Sequence, residues 1–280
     1  MAGDRARSRL AGTRFADIRW VSETGSTNAD LMALAGDGAP EGIVVVADHQ
    51  TAGRGRLGRQ WVAPSGSGLL VSVLLRPPAA VVAVMTMAAS TALAEAIDEV
   101  AGVTARLKWP NDLVWPGDGS TPDLKLAGVV AEADWPARAN IAAGWQEPPP
   151  SERVVVVVGA GVNVSWPSES SGGDLAGNAT SLGALTGREI DRDDLLGAYL
   201  AALEPAYTRL VRTLDGAAAV DRWRDRSATI GRRVRIDVGA EVLEGMAVGV
   251  TGDGRLVVET DDGDRRDLAA GDVEHLRPTA

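Results

Sequence analysis

Three arginines and three glycines fall within seven residues at Gly53-Arg54-Gly55-Arg56-Leu57-Gly58-Arg59, followed by Gln60-Trp61. Glycine lets a backbone approach a ligand closely, and arginine offers a two-pronged grip on phosphate or carboxylate. Such a loop suits a reaction that brings several negative charges together, as joining ATP to a carboxylic acid does. Three plainer readings compete. Gly53-x-Gly55-x-x-Gly58 matches the dinucleotide fingerprint, but Pro64, Gly66 and Gly68 follow where that motif needs a helix. A Gly/Arg RNA-binding segment repeats in a basic tail, whereas this one is single and embedded. A solvated loop between two strands is the third.

Other groups are spaced for chemistry too. Lys108-Trp109-Pro110-Asn111-Asp112 precedes Lys125-Leu126-Ala127-Gly128. A strand lysine beside glycine can aim its ammonium at a ligand, or it can snorkel to water. Asp112 can serve a metal-bound phosphate or an amine, or merely form a turn after Asn111. Gly159-Ala160-Gly161-Val162-Asn163 allows close contact with a flat ring, with Asn163 able to read a base edge; a bulge explains the same residues. Gly25-Ser26-Thr27-Asn28 reads as a helix N-cap whose spare donors are compatible with ligand contact. There is no Gly-x4-Gly-Lys-Ser/Thr loop and no Gly-x-Ser-x-Gly elbow.

The elements that must position these groups follow from periodicity. A helix is expected over 29–35, strands over 42–47 and 69–75, and a helix over 79–100. Strands follow at 105–109, 125–132 and 153–158, then helices over 191–214, with Pro205 as a kink, and 217–226. Residues 115–124 and 134–152 read as surface insertions, 167–178 as a Ser/Gly loop, and 1–19 as a frayed, flexible segment. From Ile230 short β runs alternate with glycine turns, and five strands in about fifty residues suggest a small barrel. The boundary is placed near Ser227, giving a domain over 20–227 and a second over 228–280.

Composition bounds the function. The chain has 280 residues, 45% hydrophobic and 24% charged, as globular chains do. With Cys at 0 and His at 2, disulfide scaffolds and thiolate zinc sites are excluded, and a His-based triad is disfavoured. His49 and His275 fall in different domains and read as structural. A net charge of −10 disfavours nucleic acid, and from residue 231 onward 7 Arg face 11 Asp and Glu, so the barrel is no nucleic-acid module by charge. No apolar run approaches the ~18 residues of a membrane span and no signal peptide is visible, so a cytoplasmic protein without membrane partners is expected.

Taken together and in order, Gly25-Ser-Thr-Asn28, Gln50-x-x-Gly53-Arg-Gly-Arg-x-Gly-Arg59-x-Trp61, Lys108-Trp-Pro-Asn-Asp112, Lys125-Leu-Ala-Gly128, Gly161-x-Asn163 and Ala179-Thr-Ser-Leu182 resemble the biotin–protein ligases over about residues 20–280. The resemblance implies an α+β fold, a mixed sheet with flanking helices like the class II tRNA synthetases, plus an SH3-like C-terminal barrel. It implies a two-step reaction. Biotin and Mg-ATP give biotinyl-5′-AMP and pyrophosphate, and a lysine of a biotin carboxyl carrier domain of a carboxylase then takes the biotin. ATP, Mg2+ and biotin enter as substrates and activating ion, with no permanently bound cofactor. By motif, Ser26, Thr27, Gln50, Gly53, Arg54, Lys125, Gly128 and Gly161 would bind biotin. Arg56, Arg59, Trp61, Lys108, Asn111 and Asn163 would bind ATP. Arg54, Arg56, Lys125 and Asp112 would carry catalysis, with Asp112 serving a metal or the acceptor lysine, and Trp166 is a candidate adenine contact. The short N-terminal stretch leads to the expectation of a monofunctional type without a DNA-binding domain. Alternatives are a lipoate-type ligase on the same scaffold, whose Arg-Arg-x-Ser-Gly-Gly-Gly loop is not found, and a non-catalytic biotin- or carrier-binding module.

Overall fold

The computed structural model describes residues 2–118, 121–136, 140–141, 144–145, 148–167, 177–239 and 241–276. In chain order the elements are α1 (Asp4–Arg9), β1 (Ile18–Thr24), α2 (Thr27–Gly36), β2 (Val44–Gln50), β3 (Gly68–Leu75), α3 (Met85–Ala101), β4 (Arg106–Lys108), β5 (Asp112–Trp115), β6 (Leu124–Asp134), a small ladder of β7 (Asn140–Ile141) and β8 (Gly144–Trp145), and β9 (Val155–Asn163). Then come α4 (Leu182–Thr186), α5 (Arg192–Thr213), α6 (Ala217–Asp225) and five strands: β10 (Arg233–Asp237), β11 (Val242–Val250), β12 (Leu256–Glu259), β13 (Arg265–Leu268) and β14 (Asp272–His275).

Seven strands form one mixed sheet in the order β1-β2-β3-β9-β6-β5-β4. Only β1 and β2 run parallel; the other neighbours are antiparallel. Because side chains alternate along a strand, each β9 residue commits to one face. Val156, Val158, Ala160 and Val162 point into the core with the apolar residues of α3 and α5. Val157 joins Leu31 of α2, Val45 and Leu74 on the opposite face. Gly159 and Gly161 share that second face, where the sheet is bare of side chains of its own and Asn28, at the start of α2, reaches Gly159. The α+β expectation holds, with a five-stranded antiparallel barrel, order β13-β12-β11-β10-β14, at the C-terminus.

Two expectations need correction. The N-terminal residues are not frayed. Ala6, Leu10 and Phe15 are fully buried, and Arg5 pairs with Asp191 and Asp194 at the start of α5. Ala6 N also donates to Asp193 Oδ1 at 2.9 Å. The basic composition masked three buried apolar side chains, Ala6 in α1, Leu10 at its C-cap and Phe15 in the 3-10 turn that follows, and the acidic first turn of α5 attracts the basic ones. Second, Ala79–Ala101, a 3-10 turn running into α3, is long and apolar enough to cross a membrane by composition. It is the core helix of this domain, mostly buried against α5 and the sheet.

At the domain junction, Leu107 N donates to Arg226 O and Ala228 N to Leu107 O, so the linker runs beside β4 as a short extra strand. The barrel is thereby seated against the turn that follows Lys108.

Candidate active site

The bare part of the sheet floors a cavity of about 530 Å³. Ser26, Thr27, Gln50, Arg54, Arg56, Arg59, Trp61, Lys108, Asn111, Asp112, Lys125, Gly128 and Gly161 all line it. Gly128 and Gly161 are paired neighbours on β6 and β9. A Cβ on Gly161 would sit 2.7 Å from Trp61 Cε2, and one on Gly128 3.4 Å from Trp61 Cζ3. The glycine pair thus makes a flat bed on which the Trp61 indole rests, and any larger residue would lift the ring away.

One end of the cavity is an oriented hydrogen-bond network. Gln50 Oε1 accepts from the Thr27 backbone N–H at 2.8 Å. Thr27 Oγ1 lies 2.6 Å from Ser72 Oγ, Ser72 donates to Asn28 Oδ1 at 2.6 Å, and Asn28 Nδ2 donates to Glu132 Oε1 at 2.7 Å. The Thr27 hydroxyl also lies 3.0 Å from Gln50 Oε1, so with Ser72 donating to Asn28 the single Thr27 proton has two acceptors, Gln50 and Ser72. The Gln50 carbonyl is held, leaving its amide NH2 to donate elsewhere. Ser26 occupies the N-cap position of α2, but its side chain makes no capping bond, contrary to the cap expected there. Its buried hydroxyl instead lines the cavity. A Cβ on Gly159 would lie 2.2 Å from Asn28 Oδ1, so glycine there admits the amide onto the sheet. Asn28 and Ser72 also line the cavity without having been expected there, and Glu132 anchors the Asn28 amide from β6. Ser72 carried a signal, as the one polar side chain in the apolar run Leu69–Leu75.

The other end is cationic. Six basic residues line the cavity (Arg54, Arg56, Arg59, Lys108, Lys125, Arg235) against four acidic ones (Asp112, Asp237, Asp272, Glu274), in a protein of net charge −10. Lys125 Nζ is 2.7 Å from Asp112 Oδ1 and 5.7 Å from the Trp61 ring centroid. Arg54 lies 3.8 Å from Glu132. Arg59 pairs with Asp272 of the barrel, which raises its pKa further. Arg56 donates to Asn111 Oδ1 at 3.4 Å and Gly271 O at 3.2 Å. Burial pulls its pKa below the ordinary arginine value, only partly offset by Asp272 and Asp112, and it remains charged. Leu57, 71% exposed at the tip of the loop, has φ of 55°, a left-handed conformation uncommon for leucine.

Gly53, Asn163 and Trp166 are not among the lining residues. Gly53 serves the loop base: Trp61 N donates to its carbonyl at 3.0 Å, and a Cβ there would meet Trp61 O at 2.6 Å. Asn163 is 6% exposed and its Nδ2 donates to Thr180 O at 3.0 Å and Lys125 O at 3.3 Å. It pins the 178–181 segment beside β6. The Ser/Gly loop at 168–176, expected on the adenine side, lies outside the described residues. Among the described residues no three His, Asp or Glu side chains converge as metal ligands, and Asp112 is committed to Lys125.

The biotin/lipoate A/B protein ligase family model matches residues 23–136, and the biotin protein ligase C-terminal domain model matches 229–276. The biotin–[acetyl-CoA-carboxylase] ligase of Mycobacterium tuberculosis is 35% identical over 95% of this chain and 92% of its own length. The bifunctional ligase/repressor BirA of Bacillus subtilis is 32% identical over 89% of this chain and 71% of its own. The biotin protein ligase of Aquifex aeolicus, solved in complex with biotin and ATP, superposes with a TM-score of 0.73 at 24% identity, covering 94% of this chain and all of that one. On identity above 30% across most of both chains, and with both domain models matched, the chain belongs to the biotin–protein ligase family.

Proposed function

We propose that this chain is an ATP-dependent ligase that activates biotin as biotinyl-5′-AMP with release of pyrophosphate, then transfers it to a lysine of a carboxylase's biotin carrier domain. The observation that carries the reading is the continuity of the cavity. A neutral network of fixed donors and acceptors at Thr27, Gln50 and Ser72 shares one trough with cations at Arg54, Arg56, Lys108 and Lys125. A neutral ring with a carboxylate tail fits the first part, and phosphates fit the second.

In this reading Ser26, Thr27 and the free Gln50 amide hold the polar edge of the biotin bicycle over Gly128 and Gly161. Lys125 meets the carboxylate where it attacks the α-phosphate. Asp112 holds the Lys125 ammonium at that point. Arg54 and Arg56 neutralise the anions as they meet, and Lys108, Arg59 and Asn111 hold the phosphates. Preorganised charge of this kind stabilises a transition state without a protein nucleophile. Mg2+ would enter with ATP as the counter-ion of its phosphates. When the acceptor lysine attacks the acyl-adenylate, AMP leaves and an amide forms.

The test is biotin-dependent exchange of labelled pyrophosphate into ATP, with lipoate in parallel. Exchange with biotin alone is expected. Exchange with lipoate alone would change the substrate, and no exchange in folded protein would leave a binding module.

A further inference from the structure

The loop that reads as a surface insertion ends in a buried ionic knot that the adenylation chemistry does not use. Asp123, the last residue before β6, has a side chain only 6% exposed. Its Oδ2 accepts from His275 Nδ1 of the barrel at 2.8 Å and from Arg232 at 2.9 Å, while Oδ1 accepts from Gly117 N at 2.9 Å. His275 Nε2 lies 3.1 Å from Thr229 Oγ1, and Thr229 Oγ1 accepts from Trp109 N at 3.0 Å. With Nδ1 donating to a carboxylate, the neutral imidazole must accept at Nε2, so Thr229 donates to it. The result is a directed chain: Trp109 N–H to Thr229, Thr229 to His275, His275 to Asp123.

The order acid, imidazole, hydroxyl is that of a nucleophile relay, but Thr229 is fully buried and its oxygen is occupied by the Trp109 amide. No substrate reaches it. What the chain holds is backbone, and that backbone lies between Lys108 and Asn111, both of which line the cavity. Trp109 is gripped a second time through its indole, Nε1 donating to Gly254 O at 3.0 Å.

We propose that Asp123, His275 and Thr229 are positioning residues for the nucleotide end of the active site. They couple the barrel and the Asp123–Gly117 contact ahead of β6 to the Lys108–Asp112 turn. The proposal rests on the adenylating function set out above. It also predicts a pH response. The charged groups facing the imidazole are Asp123 from the loop, Arg232 ahead of β10 and Lys108 from β4. A proton gained at Nε2 removes the acceptor for Thr229 and adds a cation near Lys108 and Arg232.

The experiment compares wild type and Thr229→Val, a substitution of similar shape, in pyrophosphate exchange, with KM for ATP and for biotin determined separately from pH 5 to 8. At pH 8 the KM for ATP should rise about tenfold, as a buried donor left unpaired implies, with KM for biotin within about twofold. In the wild type KM for ATP should climb only as the pH falls below the ordinary imidazole range, because burial lowers the His275 pKa, and Thr229→Val should lack that climb. Equal changes in both KM values, no change in either, or an acid climb kept by the variant would overturn the proposal. His275→Gln, which has a donor and an acceptor but gains no proton, should recover most of the ATP affinity lost in His275→Ala. Calorimetric Kd values for ATP test the same point if the wild type exchanges no pyrophosphate, which would count against the function and not against the coupling.

Discussion

Arg56→Ala separates a functional arginine from a structural one more cleanly than any other substitution here. The guanidinium makes two contacts, 3.4 Å to Asn111 Oδ1 and 3.2 Å to Gly271 O. Both exceed the ~2.7–2.9 Å of a strong charge-assisted bond. Among the described residues no carboxylate lies within ion-pair distance of Arg56, and burial already works against its charge. Removing it should therefore cost about 1 kcal/mol of stability or less, a Tm change of no more than about 4 °C for a domain of this size. The same deletion leaves the meeting point of carboxylate and α-phosphate short of a cation. Loss of one such preorganised group costs about 10²–10³ in rate, or ~2.7–4 kcal/mol. Initial rates of biotin-dependent pyrophosphate exchange read this directly, beside a thermal melt. Arg56→Lys keeps the charge without the planar fork and should recover only part of the rate. An Arg56→Ala enzyme within about threefold of wild type would refute the assignment, as would a rate loss matched by an equally large loss of stability.

Gly161→Ala places a Cβ 2.7 Å from Trp61 Cε2 and must displace the indole from the sheet. At ~1–3 kcal/mol for overpacking, the KM for biotin should rise about tenfold or more, measured in the same exchange assay, and an unchanged value would reject the glycine bed as the place where biotin lies. Acid stability should follow the buried knot. Burial pushes the Asp123 carboxyl up, but the hydrogen bonds from His275 and the Gly117 amide and the charge of Arg232 outweigh it and hold it down at about 2, against an ordinary 3.8. A lowered carboxyl pKa contributes stability that is present above pH 3.8 and is lost as the pH falls toward 2, here about 2 kcal/mol. Burial also lowers the His275 pKa below 6.5, which adds a loss beginning as the pH falls through 6.5. Urea melts of wild type and Asp123→Asn at pH 7, 5 and 3 check this: the variant should lose less stability between pH 5 and 3, and parallel losses would remove the knot from the account.

How much was legible in the sequence depended on what kind of signal each element leaves. Short apolar, β-branched-rich runs located β2, β3, β6 and β9, because a strand buried on both faces, as β3 is throughout, reads as a near-continuous apolar stretch. The barrel announced itself by glycine turns at regular intervals. α1 did not, since its six residues are mostly charged and its helix depends on the acidic end of α5, 188 residues away along the chain from Arg5 N to Asp193 Oδ2. The core helix was legible as a helix, yet its apolar length was underrated, because alanine-rich helices reach membrane-like hydropathy without long runs of large side chains.

The site divides along the same line. Arginines, lysines and glycines in the loop and turn motifs could be read because their chemistry lies in residue type and near spacing. Asn163 was legible only in part: an amide beside a glycine bend serves a ring edge or a backbone carbonyl equally well, and only the fold shows the carbonyls of Lys125 and Thr180 within reach of its Nδ2. His275 shows the limit most sharply. A chain with 2 histidines in separate domains gives no hint of an acid–imidazole–hydroxyl relay. The relay draws Asp123 from a loop, Thr229 from a linker and His275 from the last strand, which only the seating of the barrel brings together. Reading it as catalytic would be the opposite error. Burial of Thr229 and the amide proton it already holds decide that matter, and they turn a nucleophile's geometry into a clamp on the turn that carries Lys108.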